Sequence, residues 1–273
     1  MKKYKLLMIL LVGFVYWVLL SSFMSKEKVV DQQTGNPYQI TLHKSKPIAS
    51  IKKDLTKDRL IEYVQSEQVL PEPLKNDIHR KVIALTFDDG PNPSSTNRIL
   101  DALKKHSSYA TFFVLGNRAQ RYPETVQRIV KEGNEVGNHS WDHRLFTKLN
   151  EDEIHHEVYD TESIIEQVSG YRPVHLRPPF GAVDERVRQS IGDMSVALWN
   201  VDSEDWKYKN TQKIIENVMC KAGDGKIILM HDIYQTSAEA AEQIIEQLSN
   251  QGYILVTMAQ LEEVQKRRGM LSP

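Results

Sequence analysis

The sequence predicts an α/β domain assembled from parallel βαβ units, and two patterns carry that expectation. After Asn76, seven apolar runs alternate with amphipathic helical stretches over roughly 190 residues. Some of the helical stretches also carry start signals: Asn150 with Glu153, and Thr257 with Gln260, have capping-box spacing. In chain order the run Lys81–Phe87 precedes a helical pattern at 96–106, and Tyr109–Gly116 precedes one at 123–132. Asn134–Ser140 leads to 151–168, Val174–Arg177 to 184–192, Ser195–Val201 to 211–221, and Lys226–His231 to 238–250; Tyr253–Met258 is the last run. An open doubly wound sheet and a closed barrel both fit this alternation. In either one, functional side chains gather beyond the strand ends.

The rest of the chain is bounded by composition. Its 273 residues, net charge of −1 and 40% hydrophobic content suit one globular domain of ordinary size with an appendage. Lys and Arg are spread along the chain, so no nucleic-acid footprint is expected. Cys220 is the only cysteine, which excludes an intrachain disulfide and a cysteine-based metal site. Lys2, Lys3 and Lys5 precede an uncharged stretch from Leu6 to Met24. Nineteen residues at 1.5 Å each reach roughly 28 Å, the thickness of a hydrocarbon core. The lysines favour a cytoplasmic N-terminus, so residues 1–24 are read as a single-pass anchor with the rest outside the cytoplasm. Cleavage as a signal segment is the competing reading, and it exports the domain too. Residues 25–78 are a polar linker with a helical pattern at 53–70, and the domain is placed at 79–265.

Five strand ends in succession carry the residue types of catalysis. "LTFDDGPNP" (85–93) sets Asp88 and Asp89 just past the first strand, although a solvated turn would use the same residues. "NHSWDH" (138–143) follows the third strand. His139 and His143 are four apart, so one helical turn would present both imidazoles to a single ion. Joined by a carboxylate from the first strand end, they make a two-histidine, one-carboxylate set with positions open to water and substrate. "LRPPFG" (176–181) offers Arg177 to grip a carboxylate bidentately, and two prolines that fix the Phe180 amide. "VDSEDW" (201–206) brings Asp202, Asp205 and Trp206, and "LMHD" (229–232) brings Leu229 and His231.

In order and spacing, "TFDDGP", "HSWDH", "RPPF", "DSEDW" and "LMH" resemble the five motifs of the polysaccharide deacetylases, the NodB-homology or carbohydrate esterase family 4 enzymes. The likeness spans roughly residues 79–261. It implies a distorted (β/α) barrel of about seven parallel strands, in agreement with the seven apolar runs. It also implies that Asp89, His139 and His143 hold a divalent metal, with zinc expected and cobalt, nickel or manganese compatible with the same donors. Asp88 then stays off the metal as general base, oriented by Arg177. The Phe180 amide faces the oxyanion, and His231, partnered by Asp205, protonates the leaving amine. Phe180, Trp206 and Leu229 are expected to wall the acetyl group and the sugar face. Trp141 is expected to pack beneath the histidine turn, Asp142 and Asp232 to be solvated or supporting, and His106, His155 and His156 to lie at the surface.

The activity so implied is hydrolytic N-deacetylation of N-acetylhexosamine units in a cell-wall glycan, peptidoglycan before others, by a monomer held at the membrane. Deacetylation of chitooligosaccharides, and an O-acetyl esterase acting on xylan or another glycan, are alternatives, since one hydrolytic attack serves both bonds. A carbohydrate-binding relative without catalysis is a third reading. Retention of base, ligands, arginine and acid argues against it.

Overall fold

The computed structural model describes residues 70–270. The expected membrane segment, and the 53–70 helical pattern except for Leu70, lie outside that range. Among the described residues no helix is long and apolar enough to cross a membrane. The strands are β1 (Val82–Gly90), β2 (Thr111–Val114), β3 (Glu135–Asn138), β4 (His175–Leu176), β5 (Ser195–Val196), β6 (Val201–Asp202), β7 (Lys226–His231) and β8 (Ile254–Leu255). The helices are α1 (Glu72–Asn76), α2 (Pro93–Lys105), α3 (Gly116–Arg121), α4 (Pro123–Lys131), α5 (Glu151–His155), α6 (Thr161–Ser169), α7 (Glu185–Ser190), α8 (Asp205–Tyr208), α9 (Thr211–Met219), α10 (Gln235–Asn250) and α11 (Met258–Arg267).

Every strand pairing is parallel, in the order β5-β4-β3-β2-β1-β7-β6, with β8 also on β1. The run expected as one strand at 195–201 is two short pieces at opposite ends of this order. Only Ala197–Asn200 joins them, and four residues reach at most about 14 Å. The sheet must therefore curl until its edges approach. The bridging segment pairs with both edges: Ala197 N–H donates to Leu176 O at 2.9 Å, and Asn200 N–H to Ile227 O at 3.1 Å. The result is the distorted (β/α) barrel that the resemblance implied.

Side chains of β1 alternate between two faces, as pleating requires. Ile83, Leu85 and Phe87 pack outward with Ile99, Leu103 and Ile244 of the helices. Val82 and Ala84 join Phe113, Ala197 and Val256 in a second cluster. Leu70 and Leu74 are buried in that same cluster, so residues 70–78, read from texture as linker, pack with the domain. Asn92 starts α2 three residues earlier than its apolar period suggested, by accepting the Ser94 amide with Pro93 at the first helical position. Both expected capping boxes are formed, at Asn150 and Thr257. The stretch 151–168 is not one α-helix: a π-helical turn, His156–Asp160, separates α5 from α6.

Candidate active site

Adjacent residues on a flat strand point to opposite faces, so Asp88 and Asp89 can share a site only where β1 distorts. Its register against β2 slips between Asp88 and Gly90, and Asp89 adopts φ 72°. The left-handed region costs a non-glycine residue about 1–2 kcal/mol, and Asp is among those that tolerate it. Gly90 is required here because a Cβ would overlap the carboxylate of Asp232. Asp232 is fully buried and takes the Thr96 hydroxyl on Oδ2. Burial pushes it up to about 7. It supports the turn from behind and is not solvated, so of the two roles expected for it the supporting one holds.

Asp88 and Asp89 both lie near His139 Nε2, with Asp88 Oδ2 at 3.6 Å and Asp89 Oδ1 at 3.4 Å, but their other partners differ. Arg177, 0% exposed, donates Nη1 to Asp88 Oδ1 at 2.8 Å and to Thr86 Oγ1 at 2.7 Å. Its Nε and Nη2 go to the carbonyls of Ala197 and Leu198 at 3.0 and 3.4 Å, and the guanidinium lies 4.1 Å over the Phe113 ring. The expected bidentate grip is therefore absent: one nitrogen holds the acid, and the barrel-closing segment holds the others. Burial lowers Arg177 from its ordinary range, and Asp88 opposes that.

Asp89 turns to the histidines. His139 Nε2 and His143 Nε2 each stand 3.4 Å from Asp89 Oδ1, an oxygen that is buried without a hydrogen-bond partner. His139 Nδ1 donates to the Arg177 carbonyl at 2.7 Å, which leaves Nε2 for the centre. One ligand atom from each of the three residues lies within 4.8 Å of the others. Burial pushes Asp89 up, but His139, His231 and His143 outweigh it and hold the carboxyl at about 2. Burial lowers His143. His139 is raised despite burial, because Asp88 and Asp89 favour its charged form. An anionic oxygen with no donor, between two imidazoles, fits a divalent cation.

The histidines do not sit on a helical turn, contrary to expectation. Residues 139–143 form a loop in which Ser140 and His143 have φ of 77° and 71°. The ring centroids are 5.0 Å apart, and His143 packs edge-on to Phe180 at 4.7 Å. Trp141 lies where a Cβ on Gly116 would overlap it, packed as expected. His155 and His156 are exposed.

His231, at the end of β7, shares an inward face with Leu229. Its Nδ1 pairs with Asp205 Oδ1 at 2.7 Å, and its amide donates to Oδ2 at 2.8 Å. Ser237 Oγ and the Trp206 amide complete the Asp205 shell at 2.7 and 2.8 Å. Burial pulls His231 down, but Asp205 outweighs it and holds the imidazole at about 9. Asp202 braces this turn by accepting the Glu204 amide at 2.7 Å. Leu229 is buried beneath the site, whereas Phe180 and Trp206 are 67% and 51% exposed.

All ten residues expected from the motifs thus lie near the C-terminal ends of the strands. Asp88 and Asp89 fall in the last residues of β1 rather than past it, Asp205 and Trp206 open α8, and the rest lie at strand ends or in the segments that follow. Thr86 and Ser237, which bond to Arg177 and Asp205, were missed. Thr86 had a signal, since it is two residues before Asp88 on the same face of β1. Ser237 lies on a helix and had none.

The sequence profile of the polysaccharide deacetylases matches residues 75–199. Peptidoglycan-N-acetylmuramic acid deacetylase PdaC of Bacillus subtilis (strain 168) is 54% identical over 80% of this chain and 47% of its own length. A peptidoglycan-N-acetylglucosamine deacetylase of Bacillus cereus is 38% identical over 68% of this chain and 70% of its own. The solved structure of PdaC superimposes with a TM-score of 0.70 at 58% identity, over 71% of this chain and 95% of that one. The chain spans under half the length of PdaC itself. With barrel, motifs and relatives in agreement, the chain belongs to the polysaccharide deacetylase family.

Proposed function

We propose that this chain is a metal-dependent hydrolase that removes acetyl groups from N-acetylhexosamine units of cell-wall peptidoglycan. The observation that carries the reading is the separation of two adjacent acids, Asp88 onto Arg177 and Asp89 between two imidazoles. The relatives described above act, by name, on N-acetylmuramic acid and on N-acetylglucosamine. Both sugars carry the same acetamide, and the reading rests on that group.

Asp89, His139 and His143 would hold the cation, and zinc suits two imidazoles with one carboxylate. Such an ion, when bound, lowers the pKa of water toward ~7 and polarises the acetyl carbonyl. The remaining work falls to the chain. Asp88 takes the proton of the attacking water on Oδ2, because Arg177 occupies Oδ1 and fixes the plane of the carboxylate. The Phe180 amide, turned by φ 62°, faces the developing oxyanion. His231, kept protonated at neutral pH by Asp205, delivers a proton to the nitrogen as the C–N bond breaks. Phe180 and Trp206 offer exposed aromatic faces to the sugar rings, and Leu229 closes the floor. The uncharged Leu6–Met24 stretch behind three lysines supports a domain tethered outside the cytoplasm, beside its polymer.

Acetate release from peptidoglycan, chitooligosaccharides and acetylated xylan, with and without chelator, tests the reading. Chelator-sensitive release that is fastest on peptidoglycan is expected. Release from xylan alone, or release indifferent to chelator, would refute it.

A further inference from the structure

The loop between the two histidine ligands has no regular secondary structure, yet each of its five amides has an acceptor. His139 N–H donates to Val114 O at 3.0 Å, Ser140 N–H to Asn138 Oδ1 at 2.9 Å, and His143 N–H to Ser140 Oγ at 2.9 Å. The two amides between them, Trp141 and Asp142, both donate to one distant oxygen, Glu157 Oε2, at 2.8 and 3.2 Å. Glu157 is 1% exposed. It belongs to the π-helical turn, the one irregular turn between Glu151 and Ser169. The neighbouring carbonyl of Val158 takes Asn138 Nδ2 at 2.8 Å, so the irregular turn is also where the helix grips the loop.

Ser140 and His143 both hold left-handed φ without being glycine, a strained state that persists only where the surroundings impose it. We infer that Glu157 is a positioning residue for the metal ligands: its carboxylate, delivered by the π turn, fixes the Trp141–Asp142 segment and thereby sets His143 against His139. The inference rests on the metal-centre reading above. It adds a residue that touches neither ion nor substrate and acts only through the loop. What it requires is an oxygen at that distance. A glutamine supplies one, whereas an aspartate is one methylene too short.

Cobalt titration of the purified domain tests this, read by chelator competition and by the visible absorption bands, which report ligand geometry. Glu157→Gln should keep the parent spectrum, with affinity within about threefold. Glu157→Ala and Glu157→Asp should weaken binding about 10–100-fold and shift the bands, with circular dichroism confirming a folded chain. If the alanine variant does not fold, the aspartate variant decides. Parent-like affinity and spectrum in a folded Glu157→Asp chain overturn the inference. A parent chain that binds no cobalt overturns the metal reading instead.

Discussion

The two ends of the barrel use the same residue types in opposite ways. At the N-terminal ends of the strands, buried Glu135 and His175 meet at 2.5 Å. Glu135 Oε2 also takes the Thr111 hydroxyl and the Ala259 amide at 2.9 and 3.0 Å, and His175 Nε2 lies 3.1 Å from Glu262 of α11. At the C-terminal ends, Asp89 and His139 stand 3.4 Å apart, and Asp89 Oδ1 has no partner. The lower pair fastens α11 to the sheet; the upper pair is held open. Backbone strain divides in the same way. Asp89, Ser140, His143, Phe180 and Glu204, five of the seven non-glycine residues at positive φ among the described residues, lie at or beside the upper site. A carboxylate and an imidazole make a staple when they bond to each other directly, and fit a binding centre when a carboxylate oxygen is left over.

Removing His231 should break the upper end most. Acetate release from an N-acetyl substrate is expected to fall about 10²–10⁴-fold in His231→Ala, and much less from an O-acetyl ester, whose leaving group needs less protonation. Equal losses on both would remove His231 from the acid role. Its titration gives a second reading. In the proposed mechanism the protonated imidazole is the acid; it is held at about 9, so kcat should fall as pH rises through about 9. Asp205→Asn removes the largest upward cause and should move that limb to lower pH. A limb that stays in place would exclude the pair.

The lower end should respond in stability. His175→Ala leaves Glu135 buried beside an empty space, at a cost of about 3–5 kcal/mol, read as a lower urea midpoint with turnover per folded molecule unchanged. Burial lowers His175, but Glu135 outweighs it and holds the imidazole at about 10, against 6.5 when unfolded. Its contribution is therefore complete below about pH 6.5 and is lost as pH rises through about 10. Glu135 is lowered despite burial, so its share is lost on acidification. The alkaline loss of stability should be smaller in the His175→Ala chain than in the parent, with the share of His231 remaining; an alkaline slope as steep as the parent's would contradict the staple. The smallest effect belongs to Thr257→Ala, which opens the α11 capping box for about 1 kcal/mol. An unchanged midpoint would show that the cap contributes nothing beyond the buried pair.

Apolar runs and helical patterns in the sequence revealed the strands and most helices, and the motif residues lie at or shortly after the strand ends. The failures share one cause: contacts from distant residues overrode local spacing. The i, i+4 interval of His139 and His143 resembles a helix, but Glu157 and Asn138 accept the loop amides and hold it in another shape. Arg177 looked free to fork onto a carboxylate, yet the Ala197–Leu198 carbonyls claim part of the fork. The 195–201 run reads as one strand because both of its halves are extended; only the pairing partners show that it spans two sheet edges. Asp232 follows a strand like any solvated acid, and its burial depends on Gly90, far away in sequence.

The division between Asp88 and Asp89 is tested most directly by zinc content per chain, measured by plasma mass spectrometry on Asp88→Asn and Asp89→Asn after dialysis against zinc. About one equivalent is expected in the Asp88 variant, whose turnover is nonetheless lost, and essentially none in the Asp89 variant. An Asp88→Asn chain that has shed its ion, or an Asp89→Asn chain that has kept it, would contradict the assignment.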